Sequence, residues 1–185
     1  MGGRRSPLPA TFGSRYLFGE LEQRELSVET RLNVVLSPTV SLQLFAQPLL
    51  SSGAYVSYKQ LTAPESFDFD VFEEGLHEVV VQTDVCLNGR TCVDANRRRY
   101  IDFDGDGSVD YSLNDQDFNV RSLVGNIVFR WEYRPGSTLF LVWQRTQEDE
   151  VGRGDFAFGR DLRALITAPA ENAFMVKLNY WFALR

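Results

Sequence analysis

Apolar and polar side chains alternate along five stretches of this chain. Between residues 122 and 134 the odd positions are Leu123, Gly125, Ile127, Phe129, Trp131 and Tyr133, while Ser122, Asn126, Arg130, Glu132 and Arg134 fill most even ones. A period of two marks a strand with one apolar face. Near the C-terminus Phe174, Val176, Leu178, Tyr180, Phe182 and Leu184 share one face against Lys177 and Asn179. Leu26, Val28, Leu32, Val34 and Leu36 alternate with Ser27, Glu29, Arg31 and Asn33. Leu42, Leu44 and Ala46 stand against Ser41, Gln43 and Gln47, blurred by Phe45 and Pro48; Leu139, Leu141 and Trp143 form the fifth and most apolar case. The pattern predicts an all-β chain, an antiparallel meander of long amphipathic strands.

Strand length separates two environments. Soluble strands run about five or six residues, whereas a tilted strand crossing a bilayer needs ~9–11. These patterns are of the longer kind. Their polar faces carry Arg130, Glu132 and Lys177 in mid-pattern, which suits a wet lumen or a solvent face better than a sandwich core.

The connections point the same way. Ser37-Pro38-Thr39-Val40 and Arg134-Pro135-Gly136-Ser137 read as tight turns, the second with Pro and Gly at its two corners. The other two connections, about 51–121 and 150–170, are long, and short and long strictly alternate. Outer-membrane barrels share this asymmetry, with short periplasmic turns and long external loops. The expectation is a partial barrel whose long loops are external and whose C-terminus is periplasmic. Trp131 and Tyr133 then fall near the periplasmic interface, although aromatics favour any strand. Trp181, opposite in face to Tyr180 and Phe182, is expected to point into the lumen or a plug.

Composition narrows the alternatives. The chain has 185 residues and a net charge of −6, without the clustered basic surface that nucleic acid requires. No unbroken apolar run exceeds the five residues of Leu139 to Trp143, far short of the ~18 residues of a spanning helix. The segment MGGRRSPLPATFG has two arginines but no apolar core, unlike a secretory signal peptide. Five strands are fewer than the eight of the smallest single-chain barrels. The expected organisation is a disordered or truncated segment at 1–14, followed by the C-terminal part of a barrel at 15–185, with an external insertion at about 51–121.

The stretches RLNVVLSPTVSLQLFAQPLLSSGAY, SLVGNIVFRWEYRPGSTLFLVW and NAFMVKLNYWF resemble the C-terminal end of a bacterial outer-membrane family. Its members join a carbohydrate-binding-module-like domain of the family-nine type to a barrel domain of unknown function, and are sometimes labelled membrane-associated hydrolases. The likeness covers roughly 15–58 and 117–183. The terminal strand with Tyr180 and Phe182 looks like a barrel-insertion signal, departing from its usual form because Ala183-Leu184-Arg185 follow. The resemblance implies lipid and the insertion machinery as partners, and carbohydrate only through a larger parent protein. It implies nothing about catalysis in this chain.

Candidate chemistry lies in the long insertion. Asp102, Asp104, Asp106 and Asp110 stand at positions 1, 3, 5 and 9 of a loop with Gly107 at 6. That spacing lets a tight turn converge carboxylates on a hard cation, with the Ser108 carbonyl and Asp110, directly or through water, adding oxygens. Calcium is the ion that fits. Position 12 is Leu113 and the flanks look extended, so the loop resembles calcium loops between strands and not an EF-hand. The alternative is a solvated acidic turn. Cys86 and Cys92 bracket a short Asn88-Gly89-Arg90 loop and are expected to face each other across a hairpin as a disulfide in an oxidising compartment; the alternative is two free thiols.

A catalytic set does not assemble. His77 is the one histidine, read as a surface loop residue; paired carboxylates abound without distinction; and Gly152, Gly154 and Gly159 precede no helical pattern. Two functions remain. One is a structural membrane-spanning barrel segment carrying a calcium-binding, disulfide-stapled external loop; the other is a secreted soluble all-β module binding carbohydrate or another ligand.

Overall fold

The computed structural model describes residues 14–182; the expectations for 1–13 and for Ala183 to Arg185 fall outside these residues. The fold is all-β. Among the described residues twelve strands and one helix follow in order: β1 Leu17–Ser27, β2 Thr30–Ser37, β3 Val40–Leu61, β4 Phe69–Phe72, β5 Leu76–Val80, β6 Thr83–Leu87, β7 Thr91–Val93, β8 Arg98–Ile101, β9 Tyr111–Asn114, β10 Phe118–Arg134, β11 Ser137–Val151, α1 Phe158–Thr167 and β12 Ala170–Asn179. The chain divides into two compact units, 1–23 with 53–117, and 24–52 with 118–185.

The second unit carries the alternating strands. β2 pairs antiparallel with β3, β10 with β11, and β11 with β12. The Glu132 N–H donates to Thr39 O, and Gly125 passes close to Phe45 O, so β3 and β10 also run in opposite directions. Both tight turns therefore lie at one end of these strands. The expected first strand, Leu26 to Leu36, is interrupted at Val28 and Glu29. Continuing the register of Thr30 with Ala46 brings Val28 opposite Pro48. Val28 N–H donates to Pro48 O, but proline has no N–H to return the bond.

Register sorts the side chains by face. On one face Trp131, Leu139 and Leu178 stand side by side, then Phe129, Leu141 and Val176, then Ile127, Trp143 and Phe174. Among the described residues no element of this unit covers the outer strand: Phe174, Val176 and Leu178 are 78%, 68% and 62% exposed. The opposite face carries the polar and charged groups, with Asn126 beside Gln144, an Arg130 to Glu132 ion pair at 3.2 Å and Lys177 over the Phe140 ring, around an apolar row of Val128, Val142 and Met175.

The connection at 152–169 contains α1, where no helix was expected. Its apolar residues Phe158, Leu162, Leu165 and Ile166 follow helical spacing, and Leu165 is buried. The Gln147 amide donates to the carbonyls of Leu165 and Ala168, at a helix end where Leu165 O also accepts the Ala168 N–H. At the other end the Asp161 carboxylate reaches back to the Ala157 N–H at 2.8 Å. Burial alone would raise the pKa of Asp161. Hydrogen bonds from Arg160, Ala157 and Asn119 outweigh that and hold it below the ordinary carboxylate range.

The first unit fills much of what the sequence presents as a long loop. β3 continues to Leu61 and β10 begins at Phe118, so the intervening segment is 62–117 and not 51–121. A small core of Tyr58, Phe72 and Ile101, flanked by Leu17, Tyr55, Phe103 and Leu113, holds it. β5 and β6 form one hairpin; β7, β8 and β9 form a second sheet. Val81 and Gln82 make the two-residue turn of the β5 and β6 hairpin, both with positive φ, 49° and 65°.

Candidate metal site

The acidic loop joins β8 to β9 and is anchored at its base. Asp102 is buried, and its two carboxylate oxygens accept the N–H groups of Gly105 and Gly107 at 2.7 and 2.8 Å. Gly107 has φ +87°, with open space where a Cβ would lie, a conformation that glycine adopts freely. The Asp104 and Asp106 carboxylates accept the N–H groups two residues on, from Asp106 and Ser108. One oxygen each from Asp102, Asp104 and Asp106 lie within 4.8 Å of one another. The Asp110 carboxylate turns instead to the Phe103 N–H at 2.9 Å, and Ser108 contributes its N–H to the turn. Three of the five predicted residues thus bring side-chain oxygens together, while Asp110 ties the loop's exit to its entry.

Arg90, in sequence only a residue of the loop between the two cysteines, is central to the geometry. Its guanidinium forms a two-pronged ion pair with Asp70 at 2.8 and 2.9 Å. It also donates to the carbonyls of Asp102 and Phe103 and lies over the Phe72 ring, 4.7 Å from its centroid. One planar cation thereby ties β4 and the core to the base of the acidic loop. Hydrogen bonds from Arg90, opposed by burial and aided by Gln60, hold the Asp70 carboxyl below its ordinary pKa. No local signal marks Arg90, because its partners lie 12 to 20 residues away.

The run Arg97-Arg98-Arg99 divides three ways. Arg97 pairs with Asp115 at 2.8 Å, and Arg98 donates to the Ser112 hydroxyl. Arg99 is buried against the Tyr58 ring and pairs with Glu74 at 2.7 Å.

Cys86 and Cys92 form a disulfide, with Cα atoms 5.4 Å apart. They do not face each other across one hairpin as expected. Cys86 lies opposite His77 in the β5 and β6 ladder, whereas Cys92 lies opposite Tyr100 in the β7 and β8 ladder. The bond therefore joins two sheets. His77 is half-buried in β5, not an exposed loop residue; its Nε2 lies 2.9 Å from Asp84, and its ring stacks on Tyr100 at 5.0 Å. The Tyr100 hydroxyl donates to Asp94.

A family profile described as a domain of unknown function, DUF5916, matches residues 87–184. This chain belongs to the DUF5916 family. The matched part of the DUF5916 sequence takes in Cys92, the acidic loop and all of β10 to β12. No curated protein and no solved structure matches the chain. Among the described residues of this DUF5916 protein no helix is long and apolar enough to cross a membrane, which leaves strand crossing untouched.

Proposed function

We propose that this DUF5916 chain is a structural segment of a bacterial outer-membrane β-barrel, with its tight turns and C-terminus periplasmic and its long connections external. The observation that carries the reading is the three-by-three apolar block on β10, β11 and β12, whose outer row is the most exposed. Exposed apolar surface of that extent marks an interface with lipid or protein. Strands of 17, 15 and 10 residues reach the length a tilted crossing needs, and the charged opposite face suits an aqueous lumen. The acidic loop belongs to the same reading as an external calcium site. Asp102, Asp104 and Asp106 are its side-chain ligands, in the weak affinity range of extracellular modules.

The test is fractionation after expression of the complete reading frame in a Gram-negative host. The expected outcome is recovery in the outer membrane, resistance to carbonate extraction, and a heat-dependent change in electrophoretic mobility. Recovery only as a soluble periplasmic protein would overturn the barrel reading and favour a secreted binding module. A larger parent protein with hydrolase activity elsewhere is compatible with either result, since no catalytic role is assigned to this chain.

A further inference from the structure

The polar face of the second unit's sheet holds an open cavity of about 380 Å³, lined by Arg31, Asn33, Gln43, Phe45, Asn126 and Val128 among others. This is within the range of small-ligand pockets. Its polar side chains arrive by register. Asn33 stands directly opposite Gln43 across β2 and β3, and Asn126 directly opposite Gln144 across β10 and β11. Because β3 and β10 are neighbours, carboxamides from four adjacent strands crowd onto one face.

The charge at this place is already answered. Arg31 donates to the Glu29 carboxylate at 2.7 Å and lies over the Phe45 ring, 5.1 Å from its centroid. The cavity thus offers no unneutralised cation for an anionic ligand and no free carboxylate for a cationic one. What it offers is carboxamides, each both donor and acceptor, beside a Phe45 ring that Arg31 covers. The Asn126 Oδ1 is buried and has no hydrogen-bond partner. Buried carbonyls are nearly always paired, so a rotation of the Asn126 side chain toward the cavity would give this one a ligand hydroxyl as partner.

The geometry points to a binding subsite for a neutral, hydroxyl-rich ligand, of the saccharide class, on the carboxamide face at Asn33, Gln43 and Asn126. A sugar hydroxyl donates and accepts at once, as a carboxamide does. The inference does not depend on whether the other face of the sheet meets lipid.

The experiment titrates the full chain, in buffer or in a zwitterionic detergent free of sugar headgroups, with cellotriose, maltotriose, xylotriose and chitotriose. Trigalacturonate serves as the charged comparison. At least one neutral trisaccharide is expected to bind. Gln43→Ala, an exposed position, and Asn126→Leu are each expected to weaken it about fivefold, the worth of one neutral hydrogen bond. Far-UV circular dichroism of both variants is expected to match the parent. Failure of all four neutral sugars to bind, tighter binding of trigalacturonate, or affinities unmoved by the well-folded Gln43→Ala would each overturn the proposal.

Discussion

Cys86 of β6 is bonded to Cys92 of β7, although β6 pairs only with β5 and β7 only with β8. The bond therefore fixes two sheets that share no ladder, in a region whose apolar core is small. Closing so short a loop is worth about 2 kcal/mol on the chain-entropy account. The Cys86→Ala/Cys92→Ala variant is expected to lose protection from amide exchange across β5 and β6 by that order. β10 and β11, which belong to the other unit, are expected to keep theirs. Equal loss in both would mean that the units unfold as one.

The turn of the same hairpin stores strain. Val81 is β-branched, has φ 49° and is 92% exposed, while Gln82 has φ 65°. A two-residue turn with both φ positive favours Asn-Gly, and a β-branched residue there is an outlier. Val81→Asn with Gln82→Gly is expected to stabilise the hairpin by about 1 kcal/mol, read as a raised denaturant midpoint. The turn was hidden in the sequence because Val79-Val80-Val81 has strand composition throughout. The ladder of Val80 with Thr83 overrides that local preference.

How much was legible from sequence follows from which interactions are local. Alternation is a property of neighbours, so the faces of β10, β11 and β12, the Pro135-Gly136 turn and the antiparallel order could all be read. The break at Val28 depends on Pro48 across the ladder. The helix α1 is masked in sequence because Gly152, Gly154 and Gly159 dominate its approach, though Phe158, Leu162, Leu165 and Ile166 carry its period. In the candidate site the spacing of Asp102, Asp104 and Asp106 was readable and their convergence followed. The Asp110 bond to Phe103 was not, since it depends on how the loop closes on itself, and the role of Arg90 was not, since its partners lie on distant segments.

Arg90 gives a sharp test of that packing. Arg90→Ala removes a two-pronged ion pair and leaves Asp70 half-buried with only Gln60 as partner. The expected cost is about 2–3 kcal/mol, in the range for hydrogen bonds to charged groups. Lys in its place cannot reproduce the planar fork or the stacking on Phe72, so Arg90→Lys is expected to recover less than half the loss. Urea unfolding followed by limited proteolysis at 103–110 reads both.

The same pair sets a pH dependence. Because the Asp70 carboxyl is held below its unfolded value, its contribution is fully present above about pH 4, the ordinary carboxylate value. It is lost as pH falls through the lower folded value. The first unit is therefore expected to weaken on acidification below about pH 4. Asp70→Asn is expected to be less stable at neutral pH but to lose less on acidification. A variant with the parent's full acid slope would assign the effect to other carboxylates.

Calcium can be separated from loop architecture by comparing the aspartates. Asp102 is buried and holds two backbone N–H groups, so Asp102→Ala is expected to disorder the loop with or without calcium. Asp104 and Asp106 are exposed, each bonded to a single N–H. Asparagine retains an oxygen for that bond while removing the charge. Asp104→Asn/Asp106→Asn is therefore expected to leave the fold intact and abolish calcium-induced stabilisation. In the parent, millimolar calcium, at about ten times a sub-millimolar Kd, would add roughly 1.4 kcal/mol. Thermal melts of both proteins with calcium and with chelator make the comparison; an equal response in the two would leave the loop a solvated acidic turn.

Neighbouring residues of β12 distinguish the two faces of the sheet. Val176 stands beside Leu141 in the apolar block, while Lys177 stands beside Phe140 on the polar face. If the block meets hydrocarbon, an arginine at Val176 near the midplane costs about 2–4 kcal/mol, whereas exchanging one polar residue for another at Lys177 costs little. In a soluble protein, an arginine at a position already 68% exposed would be nearly neutral and would improve solubility. Val176→Arg is thus expected to deplete the protein from the outer membrane, and Lys177→Gln to leave its level unchanged. The contrast holds only for strand crossing, because both sites lie on the same exposed strand and differ only in the face they present.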